Sequence, residues 1–258
     1  MPSYDEIYSH LERRVDALKT DKTGDERVTA AEVFDRQTLM TIYRFMTSGH
    51  IDTVGYPVST GKEGNVFQAH DPDGGLVALK IFRTSTSTFK RISSYIEGDP
   101  RFKGVSGNRR KMVQVWAKKE FSNLRLYAEA GIRVPAPITF HGNCIVMEFI
   151  GDEEGPAPLL KDVAMEDPDA VYEEVVSWIV DGARDAGLVH GDLSEFNILM
   201  DGDEPVLIDC GQSMLTKHFN ARDLLARDVA NVNRFFKSRG VAVTDDAIII
   251  NEALGEKA

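Results

Sequence analysis

The sequence predicts an α+β fold of two lobes, a β-rich lobe followed by a mostly helical one. Residues 51–150 carry short apolar alternations separated by turns, which is typical of antiparallel strands. Residues 151–258 carry mainly the three-to-four spacing of amphipathic helices. Turn-forming residues are concentrated from Gly151 to Pro158, and we place the boundary between the lobes there.

An N-terminal helical extension, residues 1–50, is expected to pack on the first lobe. Asp35 is a suitable N-cap, and apolar residues recur at helical spacing after it until Gly49. Five strands are expected in the first lobe because β-branched and apolar residues alternate between turn signals. The predicted strands are Thr53–Ser59, Asn65–His70, Leu76–Phe82, Ile138–His141 and Cys144–Phe149.

Residues 83–107 are predicted to form a flexible loop, since Ser and Thr accumulate there and the apolar periodicity is lost. A long helix is expected from Asn108 to Ala130, where Gly131 ends it. The second lobe should contain two helices and a hairpin. These elements are a helix from Asp167 to Ala186, strands Ile198–Met200 and Val206–Ile208, and a helix from Asp223 to Arg239.

The composition indicates a soluble globular protein, with 42% hydrophobic and 28% charged residues. No apolar stretch is long enough to cross a bilayer, and the first residues lack the order of a signal peptide. We therefore expect a cytoplasmic protein without a membrane partner. Cys144 and Cys210 lie in apolar contexts without metal-ligand spacing, which favours buried free thiols over a disulfide or a zinc site.

The net charge of -11 is unevenly distributed along the chain. Between Arg83 and Arg125 there are 11 Lys/Arg and three Asp/Glu, so this segment is basic within an acidic protein. A concentrated cationic surface suits binding to the phosphates of RNA. A solvated charge run without a partner is the alternative.

A glycine-bearing turn joins the first two predicted strands. Glycines have no Cβ, so they allow backbone amides to approach phosphates closely. The segment aligns with the protein-kinase loop GxGxxGxV, except that Ser59 replaces the first glycine. A hairpin without a ligand is the alternative. The predicted phosphate-binding residues are Ser59, Thr60, Gly61, Lys62, Glu63, Gly64 and Val66.

Lys80 interrupts the third predicted strand, which is otherwise apolar. A buried ammonium requires a counter-charge or a bound anion, and the protein-kinase pattern uses such a lysine to hold nucleotide phosphates and to pair with a helix glutamate. Glu120 is the predicted partner, because Trp116 and Leu124 lie one turn on either side of it and indicate an inward face. A surface acid near neighbouring lysines is the alternative.

The spacing H-x-D-x-x-x-x-N begins at His190, and an Ile-Asp-Cys-Gly segment follows it. Phosphoryl transfer to a hydroxyl needs a carboxylate that orients the nucleophile and takes its proton, and oxygen ligands that hold Mg²⁺ against the phosphates. Asp192 is the predicted catalytic base, and Asn197 and Asp209 are the predicted metal ligands. Turn-capping roles for these residues are the alternative, but their order after Lys80 matches the protein-kinase order.

Residues 147–151, just before the lobe boundary, are predicted to form a hinge. Met147 should form a wall of an adenine pocket, and the backbone of Glu148 and Ile150 should hydrogen-bond the adenine edge. The sequence therefore predicts a minimal protein-kinase-like fold with a truncated helical lobe. Its expected ligands are ATP and Mg²⁺, with Mn²⁺ as a substitute metal.

Five strings make the chain resemble the RIO family of atypical serine kinases, and more narrowly its type-one branch. The resemblance implies serine phosphorylation, including autophosphorylation, or ATP hydrolysis. It also implies a role in maturation of the small ribosomal subunit, with its precursor or rRNA as the partner and an unidentified protein serine as the acceptor. The strings are STGKEGNVF (Ser59–Phe67), YIEGDPRF (Tyr95–Phe102), MEFIG (Met147–Gly151), HGDLSEFN (His190–Asn197) and IDCGQ (Ile208–Gln212).

Three departures from ordinary protein kinases bear on the acceptor. Gly191 stands where those kinases have an arginine, Ser194 stands where they place a lysine near the transferred phosphate, and the 49 residues after Asp209 contain no A-P-E string. The truncated C-terminal part and the basic segment favour an alternative function, an assembly factor driven by ATP hydrolysis with little transfer to protein. A small-molecule kinase shares the H-x-D chemistry but not the five strings, and we rank it last.

Overall fold

The computed structural model describes residues 3–15, 34–61, 64–83 and 108–256. The predicted flexible loop lies outside the described residues apart from Arg83, as do Lys62 and Glu63 of the predicted phosphate loop. The chain divides into two compact units, which we describe separately. Of the described residues, the first unit contains 3–15, 34–61, 64–83, 108–121 and 137–156, and the second contains 122–136 and 157–256.

A five-stranded antiparallel sheet forms the centre of the first unit. Its central strand is almost fully buried, which agrees with the continuous apolar run in its sequence. The spatial order is β1-β2-β3-β5-β4. The strands are β1 (Thr53–Thr60), β2 (Gly64–His70), β3 (Leu76–Phe82), β4 (Pro137–His141) and β5 (Cys144–Glu148).

One face of this sheet packs on two N-terminal helices, α1 (Tyr4–Glu12) and α2 (Arg36–Thr47). Successive side chains of a strand point to opposite faces, so Leu79 and Ile81 join this core whereas Lys80 points away from it. The opposite face of the sheet, which carries Lys80, is not covered by these helices. The strand residues of the helix-covered core are Phe67, Ala69, Val77, Leu79, Ile81, Cys144 and Val146.

Both N-terminal helices begin at side chains that satisfy their first N–H groups. At α1, Ser3 and Glu6 form a capping box, in which each side chain accepts the other residue's backbone N–H. At α2, Asp35 Oδ1 accepts the N–H of Thr38 at 2.9 Å, as the sequence predicts for this N-cap. These caps fix where the apolar stripe of each helix starts.

The second unit is mostly helical. A long helix, α3 (Arg109–Glu129), begins in the first unit and ends in the second. Asp167 caps the next helix, and Pro168 occupies its first turn, where a missing N–H has no consequence. The remaining helices are α4 (Pro168–Arg184), α5 (Ala221–Ser238) and α6 (Asp246–Leu254).

Short two-stranded ladders lie between α4 and α5 in the chain, and loops connect their strands. β8 (Leu188–Val189) pairs with β11 (Met214–Leu215), and the hairpin of β9 (Ile198–Asp201) and β10 (Glu204–Leu207) lies between them in the chain. The segment from His190 to Asn197 therefore connects β8 to β9, and Asp209 lies between β10 and β11. In the first unit, a further ladder joins β6 (Gly151–Asp152) to β7 (Gly155–Pro156).

Ten of the helices and strands expected from the sequence are present, with ends that differ by at most two residues from the predicted ones. Helix α6 was not expected from the sequence, because its run of three isoleucines has no helical periodicity. Asp245 accepts the N–H of Ala247 at 2.9 Å, and Gly255 ends the helix with a φ of 66°. Both cysteines are buried and free, as predicted. Within the described ranges no helix is long and apolar enough to cross a membrane.

Candidate active site

Lys80 lies on the face of the sheet that the N-terminal helices do not cover. In the strand register it stands opposite Val66 of β2 and Ile145 of β5, and side chains at directly opposed positions share one face. Two positions further along, Ala78 stands opposite Met147 and belongs to the same face. The lysine, the predicted loop valine and the predicted adenine-wall methionine therefore lie on one surface of the sheet.

Lys80 forms a buried ion pair with Glu120. Its Nζ lies 2.6 Å from Glu120 Oε1, and the two side chains are 9% and 3% exposed. Trp116 and Leu124 are both fully buried, so this face of α3 does point inward as the helical spacing predicts. The alternative in which Glu120 is a surface acid is wrong.

The predicted phosphate loop is partly described. Ser59, Thr60 and Gly61 are exposed, and the N–H of Gly61 donates to the carbonyl of Gly64 at 2.9 Å. A Cβ at Gly64 would lie 2.4 Å from the carbonyl oxygen of Ile81 on β3. The close approach of β3 is thus sufficient to require a glycine at position 64. The phosphate-loop pattern in the sequence did not reveal this packing requirement.

The predicted hinge, residues 147–151, overlaps the last two residues of β5. Met147 and Ile150 are buried, whereas Glu148, which stands opposite Val77, is partly exposed. Gly151, at the start of β6, has a φ of 136°, in the region that favours glycine. β5 therefore ends within the predicted hinge, and β6 starts at its last residue, Gly151.

In the second unit, Asp192 and Asn197 belong to one hydrogen-bonded loop. Asn197 Nδ2 donates to the backbone carbonyl of Asp192 at 2.7 Å. The backbone carbonyl of Asn197 accepts the N–H of Ile208 at 3.0 Å. Because the amide nitrogen is used in this way, the side-chain oxygen of Asn197 is the atom left to bind a cation. His190 makes a further contact, from Nε2 to the carbonyl of Ile208 at 3.2 Å.

The carboxylate of Asp192 is half-buried. Gln212 Nε2 donates to its Oδ2 at 2.8 Å. Burial raises the pKa of Asp192, and the neighbouring charge of Asp209 raises it further, whereas Arg227 and hydrogen bonds from Asn197 and Gln212 act in the opposite direction. A raised pKa strengthens a carboxylate as a proton acceptor, which is the property that a general base requires.

Asp209 has a left-handed backbone, with φ 59° and ψ 48°. It is the only residue other than glycine with a positive φ in the part of the chain that the structure describes. Such strain persists only where surrounding contacts impose it, and it is concentrated at functional sites. One such contact comes from α3, where Asn123 Nδ2 donates to the carbonyl of Cys210 at 2.8 Å.

Asp228 of α5 anchors the loop that carries Asp192, a role that the sequence pattern did not predict. Its Oδ2 accepts the N–H of Gly191 at 2.7 Å, and its Oδ1 accepts the N–H of Leu193 at 2.9 Å. The side chain is fully buried, and this burial raises its pKa to about 7 despite the two hydrogen bonds. The sequence did contain an indication of this role, because Asp228 lies between apolar residues on the inward face of α5.

The donors around Asp192 suit a magnesium ion held together with a nucleotide. Mg²⁺ is usually bound by one or two protein oxygen ligands plus phosphates and waters, and Asn197 and Asp209 can supply two such oxygens. Over the described ranges, no group of three or more His, Cys, Asp and Glu side chains could hold a metal ion. Two such oxygens would leave the remaining coordination positions of the ion to phosphates and waters.

Comparison with known proteins identifies a family and several relatives that this sequence resembles. The model of the RIO domain matches residues 65–248. The chain is 42% identical over 227 residues to the RIO-type serine/threonine-protein kinase Rio1 of Haloferax volcanii, covering 88% of this chain and 78% of that protein. It is 41% identical over 226 residues to the human serine/threonine-protein kinase RIO1, but spans only 40% of the human protein's length.

Solved structures agree on the fold. The Rio2 kinase from Chaetomium thermophilum superposes with a TM-score of 0.68 and 22% identity, covering 98% of this chain and 86% of that one. The structure of the same kinase as an ADP/Mg²⁺-phosphoaspartate complex gives a TM-score of 0.65 over the same coverage. The predicted α+β, protein-kinase-like fold is confirmed.

Proposed function

This chain belongs to the RIO family, in its Rio1 branch, and from that premise we propose that it transfers the γ-phosphoryl group of Mg²⁺-bound ATP to a serine hydroxyl. The observation that carries the proposal is the contact between Asn197 and the Asp192 carbonyl. It ties the candidate base and a candidate metal ligand into one loop of the second unit. The kinase names of the Rio1 relatives support the same reaction.

Each predicted residue then has one task. Lys80, oriented by Glu120, offers its ammonium to the phosphates of the nucleotide. Asp192 accepts a hydrogen bond from the acceptor hydroxyl and takes its proton as that oxygen bonds to the γ-phosphorus and the bond from this phosphorus to the departing ADP breaks. Asn197 and Asp209 offer oxygens to Mg²⁺, which when bound neutralises charge that develops on the phosphates.

The remaining nucleotide contacts are proposed on the pattern of the sequence. The exposed residues Ser59, Thr60 and Gly61, together with Lys62, Glu63, Gly64 and Val66, would contact phosphates, and Met147, Glu148 and Ile150 would contact adenine. A metal of similar size and oxygen preference, Mn²⁺, should replace Mg²⁺. Free buried thiols are typical of a reducing compartment, which supports a cytoplasmic location.

A second candidate is an ATPase that passes little phosphate to protein. Eleven residues separate Asp209 from the start of α5, which leaves a short segment for recognising an extended peptide. In addition, Gly191 and Ser194 replace basic residues that ordinary kinases place in this loop. The phosphoaspartate of the Chaetomium thermophilum Rio2 complex suggests one route, in which an aspartyl phosphate forms and is then hydrolysed.

We further propose a role in maturation of the small ribosomal subunit, with the precursor particle or its rRNA as the partner. The family resemblance is the main support. The basic segment adds less, because three of its arginines contact side chains of the protein itself. These contacts are Arg83 with Asn65, Arg110 with Asp35, and Arg125 with Glu129.

The test is to incubate the purified protein with Mg²⁺ and ATP labelled in the γ position. Acid-stable serine phosphate and released inorganic phosphate should be measured separately, for the wild type, Asp192→Asn and the exposed control Asp203→Asn. We expect Asp192→Asn alone to lose nearly all turnover. Phosphate release far in excess of serine phosphate would favour the ATPase, whereas turnover that survives Asp192→Asn would contradict both candidates.

For the ribosomal role, the protein should be purified from cells at low salt with and without added ATP. Co-purification with small-subunit precursors is expected, and ATP should alter it. Absence of such particles under both conditions would contradict the proposed partner without affecting the phosphotransfer assignment.

A further inference from the structure

A groove in the first unit lies between α2, the start of α3 and the turn that joins β4 to β5. Its volume is about 510 Å³. Pockets that bind small molecules in proteins have volumes of roughly 300–1,000 Å³. None of the described residues assigned to ATP or Mg²⁺ lines the groove, so it is a candidate site separate from the one described above.

Three apolar or aromatic side chains line the groove. Ile7 of α1 is buried, and Tyr43 of α2 is partly buried against the core of the first unit. Met40 of α2 is 37% exposed, although most of its helix neighbours on the sheet side are buried. A methionine adapts its shape to an irregular partner, and covering its exposed surface would be favourable. This part of the groove therefore suits an apolar ring or chain.

The charges around the groove leave one cation without an acidic partner. Arg110 and Asp35 offset each other, with 2.6 Å between Nη2 and Oδ2. Burial lowers the pKa of His141 and the charge of Arg44 lowers it further, so the imidazole is neutral near neutral pH. Arg44 is exposed, contacts His141 from Nη1 to Nε2 at 3.5 Å, and forms no ion pair with the described residues. The groove thus carries one net positive charge.

We propose that this groove is a binding site for a small amphipathic monoanion, a molecule with an apolar body and one carboxylate. The carboxylate would lie on Arg44, whose planar guanidinium can donate two parallel hydrogen bonds to it. The apolar body would lie on Met40 and Tyr43. This site is additional to the proposed phosphotransfer and does not depend on it.

The charge of the groove favours a carboxylate over a phosphate monoester. A phosphate monoester carries about -1.5 to -2 charges at neutral pH, more than the single cation of Arg44 can offset. Asp35 also lines the groove, and its negative charge would repel the excess. A carboxylate carries one charge and matches Arg44.

The experiment titrates the protein with 2-naphthoate and with its uncharged analogue of the same shape, 2-naphthamide. Binding is followed by NMR through the methyl group of Met40, in protein labelled with ¹³C at its methionine methyl groups, and Met40→Leu assigns the signal. The proteins are wild type, Arg44→Gln and Lys237→Gln. Lys237 is an exposed cation of α5 outside the groove, so its substitution changes the net charge equally. Thermal unfolding checks that each variant is folded.

We expect 2-naphthoate to shift the Met40 signal with a dissociation constant on the order of 1 mM, as is usual for so small a ligand. The amide should bind about fivefold more weakly, because it forms no ion pair. Arg44→Gln should remove this preference for the acid, and Lys237→Gln should retain it. Saturating ATP and Mg²⁺ should leave the affinity for 2-naphthoate unchanged.

Four results would overturn the proposal. These are an unmoved Met40 signal, equal affinity of the wild type for acid and amide, a preference for the acid that survives Arg44→Gln, and displacement of 2-naphthoate by ATP. The readout is binding rather than turnover. Failure of this site and failure of the proposed phosphotransfer are therefore distinguishable.

Discussion

The Nζ of Lys80 donates to Oε1 of Glu120 over 2.6 Å, and both side chains are almost excluded from solvent. A charge buried this deeply depends on its partner, because water cannot replace the partner when it is removed. We therefore expect the pair to serve two purposes, one in the fold and one in the proposed nucleotide site. Substitution experiments on either residue must separate these purposes.

We predict that Lys80→Met and Glu120→Gln each lower the free energy of unfolding by about 3–5 kcal/mol, as expected when one member of a buried ion pair is lost. The double variant should lose clearly less than the sum, because neither charge is then left uncompensated. Denaturant titration measures all three. Turnover should follow the same non-additive pattern, since both residues act through one ammonium.

The matched control is the exposed pair Arg125–Glu129 on the same helix, at 3.1 Å. Glu129→Gln should change stability by less than about 1 kcal/mol. Strict additivity of Lys80→Met and Glu120→Gln would show that Glu120 is not the functional partner of Lys80, whatever the loss in either single variant.

The second prediction concerns the metal ligands. Asn197→Ala and Asp209→Ala each remove one oxygen from a cation that has few protein ligands, so each should weaken nucleotide binding only when Mg²⁺ is present. Isothermal titration with ATP, with and without Mg²⁺, measures this difference. Asp201→Ala, an exposed acid at the end of β9, serves as the control. Equal affinities in both conditions for the wild type and the two ligand variants would contradict the assignment.

The sequence was informative where the chemistry lies in a short segment. The spacing of Asp192 and Asn197 is local, and the structure brings these residues together through one hydrogen bond within the loop. Glu120 was predictable despite lying 40 residues from Lys80, because helical spacing alone shows that it faces inward. In both cases the signal depended only on near neighbours in the chain.

The contacts made by α5 were not predictable in the same way. Arg227 and Asp228 reach Gly191 across 36 and 37 residues, and no local spacing specifies which backbone groups they meet. Gly64 shows the same limit, since its close approach to Ile81 depends on how two strands pair. Helix α6 was missed because capping residues outweigh the weak helical preference of its isoleucines.

The third prediction concerns Gly64. In Gly64→Ala the new Cβ would meet the Ile81 carbonyl oxygen at 2.4 Å, so β2 and β3 must separate, and we expect a loss of about 1–3 kcal/mol in stability. Gly61→Ala is the control, because its Cβ would lie 3.3 Å from the nearest backbone oxygen. Denaturant titration without nucleotide measures both. A smaller loss in Gly64→Ala than in Gly61→Ala would contradict the packing explanation and leave phosphate binding as the reason for Gly64.

The last prediction uses the buried carboxyl of Asp228, whose pKa burial raises to about 7, whereas an aspartate in an unfolded chain titrates near about 3.9. Between those pH values the folded protein retains a proton that the unfolded chain has released. The contribution of this group to the free energy of unfolding must therefore fall as the pH rises through that window, and become constant above it. The stability of the wild type minus that of Asp228→Asn should accordingly decrease from about pH 4 to about pH 7. The same difference for the exposed Asp223→Asn on α5 should show no such decrease, and a difference for Asp228→Asn that stays flat or rises with pH would show that the folded protein holds Asp228 ionised throughout.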